Sequence, residues 1–152
     1  MVGIVVVTHG ELSKELISAV NFVLSSNPSV KMEGVCLDPN REFESFKQEI
    51  KSAIKKVKGN DGILLVTDMF GGTPSNISLT FLDENNIEVI SGVNLPMLLK
   101  LATLSDKVTL MEAVKIAEAA GRDNIIVASQ LLKNRNQLPL RLLPRGLPSV
   151  RI

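Results

Sequence analysis

Ile63-Leu64-Leu65-Val66-Thr67-Asp68-Met69-Phe70-Gly71-Gly72-Thr73-Pro74-Ser75-Asn76 is the stretch on which the reading of this chain turns. Its first four residues form an uninterrupted apolar run, the pattern of a strand buried on both faces, and Thr67 and Asp68 fall at the strand's carboxyl end. The glycine pair supplies a sharp turn. Thr73 is a suitable N-cap, and Pro74 fits the first helical turn, where its missing N–H is no loss. Strand, turn and helix in immediate succession are the repeating unit of an α/β domain.

The pattern continues in both directions. Toward the N-terminus, Val2 to Val7 is a β-branched run ended by Thr8-His9-Gly10, and Leu12, Leu16, Val20, Val23 and Leu24 then recur at helical spacing until residues 25–28 break it. A second strand is expected over Lys31 to Leu37. Asp38-Pro39-Asn40 introduces a helix with the apolar stripe Phe43, Phe46, Ile50, Ala53, Ile54 and Val57, whose Lys47, Glu49, Lys51 and Lys55 form the solvated face. Toward the C-terminus, a helix from about Pro74 to Asp83 precedes a fourth strand near Ile87 to Ser91. Gly92-Val93-Asn94-Leu95-Pro96 then leads into an apolar helix of Met97, Leu98, Leu99 and Leu101. Thr109 with Glu112 matches a capping box for a helix through Val114, Ala117 and Ala120, with Gly121 as its stop. Asn124 to Ser129 reads as a last short strand. The expected fold is therefore α/β, a mostly parallel open sheet flanked by helices on both faces. In such sheets ligands bind beyond the carboxyl ends of the strands, where the winding reverses, and His9 and Asp68 both fall on that edge.

Length and composition bound the function. A chain of 152 residues is one domain, able to bury roughly 70% of its unfolded surface. Its 45% hydrophobic content includes no run near the ~18 residues of a membrane span. Met1-Val2-Gly3-Ile4 passes straight into the first strand without a basic leader, so a cytoplasmic protein is expected. One cysteine, Cys36, and one histidine leave no material for an internal disulfide, a multi-cysteine metal site or a histidine cluster. The net charge of +1 is uneven, because Lys133, Arg135, Arg141, Arg145 and Arg151 follow Ser129 with no acid among them, leaving the body net negative. With 3% aromatics and no Trp or Tyr, that body lacks the basic, stacking face of a nucleic-acid binder. From Gln130 onward, leucines interleave with Pro139, Pro144, Gly146 and Pro148, so residues 131–152 are expected to form an irregular basic tail after a domain of residues 1–130.

The chemistry rests on a few side chains. A lone histidine is commonly structural, but His9 sits between a buried strand and a glycine on the ligand-binding edge, where a neutral imidazole acts as nucleophile, base or ligand. A nucleophilic imidazole needs one nitrogen free and aimed, and a carboxylate accepting the hydrogen of the other nitrogen enforces that. Asp68 is the candidate, although an Asp before Gly-Gly also serves as a turn acid. Gly71, Gly72 and Thr73 open a helix whose outward amides and dipole suit an anion such as a phosphoryl group, while the same residues would also make an ordinary capped turn. Together these parts point to phosphoryl transfer through histidine without a metal or other cofactor: His9 attacks, Asp68 fixes its tautomer, and the amides of Gly71 to Thr73 hold the phosphoryl oxygens. The chain has no P-loop of the Gly-Lys-Ser/Thr kind, so a donor other than ATP is favoured.

Three motifs in order resemble the enzyme IIA domains of the mannose class of the bacterial phosphoenolpyruvate-dependent sugar phosphotransferase system. They are Val7-Thr8-His9-Gly10, Thr67 to Asn76, and Gly92-Val93-Asn94-Leu95-Pro96-Met97-Leu98, and the similarity extends over about residues 1 to 130. The resemblance implies that His9 accepts a phosphoryl group from phospho-HPr and passes it to a IIB domain. It also implies that Asp68 is the histidine's partner, that Thr73 offers a hydroxyl to the phosphate, and that Phe70 stands at the partner-facing rim. A homodimer is implied as well, in which the last strand pairs with the partner's sheet. Membrane contact would come only indirectly, through the transporter complex. No IIB domain or Ala/Pro-rich linker follows Leu132, so a stand-alone IIA protein with a separate IIB acceptor is expected. Other readings fit less well. A response-regulator receiver would need an acidic cluster after the first strand and a lysine after the fifth, and a flavodoxin-like flavin site would need a hydroxyl-rich loop and aromatics. A regulatory IIA-like module, or one serving a dihydroxyacetone kinase, shares the same motifs.

Overall fold

A computed structural model describes residues 1–133 other than 26, 39, 41, 83 and 85. Its framework is a four-stranded, wholly parallel sheet of β1 (Gly3–His9), β2 (Met32–Leu37), β3 (Ile63–Thr67) and β4 (Ile87–Ser91), in the order β2-β1-β3-β4. The two central strands are buried throughout apart from His9, which explains their unbroken apolar runs. The outer strands β2 and β4 are only partly buried and correspondingly more mixed in sequence.

Alternation along β1 and β3 divides the core in two. Ile4, Val6, Leu64 and Val66 face α1 (Leu12–Val23), α4 (Leu95–Ala102) and α5 (Leu110–Asp123). Val5, Val7, Ile63 and Leu65 face α2 (Phe43–Val57) and α3 (Thr73–Leu79), where Phe46, Ile50, Ile77 and Phe81 complete a second cluster. Each fully buried Leu, Ile, Val or Phe contributes about 1.5–3 kcal/mol, so both faces are needed to hold the central strands. The chain steps from β1 outward to β2 across one face, and then from β2 to β3 to β4 in the other direction across the opposite face. Every crossover thereby has the same hand, and the winding reverses between β1 and β3.

Local packing revises several expectations. In α1 the buried positions are Ser13 and Val20, with Leu16, Ile17 and Leu24 half-buried against the core, whereas Leu12 and Val23 are exposed. The helix is rotated because the Thr8 side chain, at the end of β1, accepts the Ser13 N–H at 2.8 Å and draws that face onto the sheet. Gly34 of β2 permits this, since a Cβ there would stand 3.1 Å from Ser13 Oγ. α2 begins at Phe43, which is exposed; the buried stripe starts at Phe46. α3 ends at Leu79 rather than near Asp83.

Gly121 does not stop α5, which continues to Asp123; the glycine lies against α4, where a Cβ would come within 2.9 Å of the Met97 methyl. The capping box of Thr109 and Glu112 is present. The last strand expected over Asn124 to Ser129 is not a strand in this chain. Residues 124–127 are irregular, and Ala128 opens α6 (Ala128–Lys133). Among the described residues no strand pairs with it, and a β-branched run without a ladder partner has nothing to hold it extended. The start of the expected irregular tail is likewise helical through Lys133, and the remainder of that tail lies outside the described residues.

Candidate functional site

The reversal point between β1 and β3 brings the two expected residues together. His9 Nδ1 lies 2.8 Å from Asp68 Oδ2, and the His9 backbone N–H donates to that same oxygen at 2.9 Å. The other carboxylate oxygen accepts the Met69 N–H at 2.9 Å. Asp68 is thus fixed by two main-chain donors before it orients the ring. Its side chain is 14% exposed and that of His9 47%, so the acid is sheltered while the imidazole faces outward. Burial pushes the Asp68 carboxyl up, but the hydrogen bonds from the His9 backbone, the His9 ring and the Met69 backbone outweigh it and hold the group below its ordinary value. In the tautomer with the hydrogen on Nδ1, an ionised Asp68 accepts it and the Nε2 lone pair is left free.

The glycine turn approaches this free side of the ring. A Cβ on Gly72 would stand 2.9 Å from His9 Cε1 and 3.5 Å from Nε2, so only glycine leaves the imidazole its place. Gly71 has φ +82°, a left-handed conformation that glycine adopts without strain. Gly72, not Thr73, is the N-cap of α3: its φ of −76° and ψ of 166° are extended, and Thr73 is the first helical residue. The Thr73 hydroxyl makes no cap bond and is exposed beside the turn. In the first turn of a helix the amide groups lack intrahelical acceptors, and here Pro74 has no N–H, which leaves Thr73 and Ser75 as donors. Phe70 is 75% exposed and Met69 also projects outward, forming an apolar rim beside the histidine.

The third motif has a structural duty. Asn94 Oδ1 accepts the Met97 N–H at 3.0 Å and caps α4, while Asn94 Nδ2 donates to the Gly121 carbonyl of α5 at 2.9 Å. Among the described residues no three of His, Cys, Asp and Glu converge as metal ligands. No helix among them is long and apolar enough to cross a membrane. Hydroxyls under the site at Thr67, Ser75 and Ser91 escape sequence reasoning, and the only signal for them is a polar residue closing each of two adjacent apolar strands.

Fold and site together define an α/β protein with a carboxylate-oriented histidine at the reversal point of a parallel sheet. The family model described as "PTS system fructose IIA component" matches residues 3–118. The mannose-specific EIIAB component of Escherichia coli (strain K12) is 26% identical over 151 residues, which is 97% of this chain and 46% of that protein. This chain therefore spans less than half the length of that relative. The sorbose-specific EIIA component of Lacticaseibacillus casei is 30% identical over 112 residues, 73% of this chain and 79% of that one. A solved phosphotransferase system component EIIA from Streptococcus agalactiae shares the fold, with TM-score 0.73 at 21% identity over 86% of this chain and 99% of that one. The chain belongs to the mannose/fructose-type IIA family of the sugar phosphotransferase system.

Proposed function

We propose that the chain is a phosphocarrier that accepts a phosphoryl group on His9 from the phosphohistidine of HPr and passes it to a separate IIB protein. The observation that carries this reading is the hydrogen bond from His9 Nδ1 to Asp68, which leaves Nε2 outward beside Gly72. In the first transfer the Nε2 lone pair attacks phosphorus, the N–P bond of the donor histidine breaks, and its electron pair stays on the donor ring. His9 becomes a phosphorylated imidazolium, and the Asp68 carboxylate stabilises the new positive charge through Nδ1–H. Amides of the Gly71 to Thr73 turn and the Thr73 hydroxyl receive the equatorial oxygens. Phe70 and Met69 meet the approaching donor and acceptor. The second transfer reverses these steps toward IIB.

In the same reading the protein works in the cytoplasm as a homodimer. The open edge of β4 and a groove of 370 Å³ beside it, lined in part by Val89, Ser91 and Ile125, support a strand contributed by a second copy. Labelled phosphoenolpyruvate with enzyme I and HPr is expected to place one acid-labile, base-stable phosphoryl group on the wild type and none on His9→Ala. Label that persists in the folded variant would remove His9 from the chemistry.

A further inference from the structure

Three hydroxyls under the site have no part in the reacting pair. Thr67 ends β3 one residue before Asp68, Ser91 ends β4 one residue before Gly92, and Ser75 lies in the first turn of α3, two residues after Thr73. Thr67 and Ser75 are fully buried, and Ser91 is partly so. Thr67 Oγ1 and Ser91 Oγ are 2.7 Å apart, a strong hydroxyl pair, and Ser75 Oγ reaches Ser91 Oγ at a longer 3.5 Å. The Thr67 carbonyl also accepts the N–H groups of Gly92 and Val93, each at 3.0 Å. The last residue of β3 is thereby tied to the exit of β4 by side chain and main chain together.

Burial alone does not explain this choice. Apolar residues of similar shape at both positions would be nearly neutral or stabilising, because they leave no polar group to satisfy. What a hydroxyl pair adds is direction: its short bond fixes the relative placement of two strand ends, which apolar contact would let slide. Those ends matter here because Asp68 follows one of them, and Ser75 belongs to the helix turn that carries Gly72 and Thr73.

We infer that Ser91 is a positioning residue: through its short bond to Thr67, with Ser75 in looser contact, it fixes the strand end bearing Asp68 beside the first turn of α3 and so holds carboxylate and amides at fixed spacing about His9. The inference deepens the phosphocarrier reading and rests on it for its kinetic consequence. A misplacement of 1 Å costs about 10²-fold in rate, and loss of one hydroxyl bridge, with the main-chain bonds kept, moves the parts less.

The test uses the full chain with Ser91→Ala, Ser91→Thr and Thr67→Val, each checked for wild-type circular dichroism. Phosphorylation by phospho-HPr is resolved into kcat and KM, and the unphosphorylated His9 ring is observed by nitrogen-15 NMR. Ser91→Ala is expected to lower kcat about fivefold to tenfold with KM for the donor unchanged, and to shift the His9 ring-nitrogen signals toward the mixed-tautomer average. Ser91→Thr restores both, and Thr67→Val reproduces the loss; combined with Ser91→Ala it adds nothing further. Wild-type kcat and unmoved ring signals in folded Ser91→Ala would overturn the inference, as would an equal loss in Ser91→Thr. If Ser91→Ala fails to fold, Thr67→Val decides by the same two readouts. If the wild type takes no phosphoryl group, the phosphocarrier reading falls by itself, and the ring signals still judge Ser91: a shift supports its role and no shift ends it.

Discussion

At the carboxyl edge of the sheet His9 and Asp68 satisfy each other within one chain, whereas beyond α5 the residues Ile125, Ile126 and Val127 stand 80%, 57% and 54% exposed. The first region is complete. Both oxygens of Asp68 have donors, the ring is oriented through Nδ1, and the Nε2 lone pair that the proposed reaction uses is left to the turn side. The second region is a β-branched run beside a sheet edge that is unpaired among the described residues, material for a strand without the ladder that would make it one. In the proposed reading the difference separates chemistry from assembly: one chain's topology brings His9 and Asp68 together, and a second copy would cover the apolar segment.

Substitutions can break that separation. Asp68→Asn keeps the shape of the side chain but offers Nδ1 a choice of donor or acceptor, so the tautomer is no longer imposed. Phosphorylation by phospho-HPr is expected to slow on the order of 10²-fold, measured by single-turnover label transfer. The same residue gives a pH test. Because the folded-state pKa of Asp68 is depressed, its ionised form stabilises the native state above the unfolded value, and that contribution disappears as pH falls through the folded value. The gap in urea midpoint between wild type and Asp68→Asn is therefore expected to hold steady from neutral pH to about 5 and to narrow below about 4.

Gly72→Ala tests the glycine turn. Its Cβ would press on His9 Cε1 at 2.9 Å, so the ring or the turn must move, and the transfer rate is expected to fall about tenfold with the fold intact. Ile126→Asp tests the second region. It should convert a dimer to a monomer in light-scattering chromatography while changing the His9 phosphorylation rate by less than about twofold. A large rate loss would show that the site needs the neighbouring copy, and the separation would fail. The smallest effect is expected for Gly121→Ala. Alanine gains about 1 kcal/mol of helix propensity, which offsets displacement of the flexible Met97 methyl, so the urea midpoint should hardly move.

The sheet and the edge where His9 meets Asp68 are legible because each rests on short-range patterns. Val2 to Val7 and Ile63 to Val66 are apolar without interruption since both of their faces are covered, and the residues that end them, His9 and Asp68, reach one another by topology alone. What could not be read depends on neighbours distant in sequence. The buried Ser13 and exposed Leu12 follow from Thr8 and Gly34, and the helical Gly121 follows from Met97 and Asn94. Thr73 looked like the cap because threonine is a good one, but the extended backbone of Gly72 takes that place and frees the hydroxyl. Ile125 to Val127 have strand propensity but pair with no strand among the described residues, which local preference does not register.

In the proposed reaction Asp68 holds Nδ1 so that Nε2 of His9 takes the phosphoryl group. Long-range proton–nitrogen correlation on the phosphorylated, nitrogen-15-labelled protein tests it directly. Phosphorus coupled to Nε2 with Nδ1 protonated is the expected result; phosphorus on Nδ1, or on any other residue, would contradict this role of Asp68.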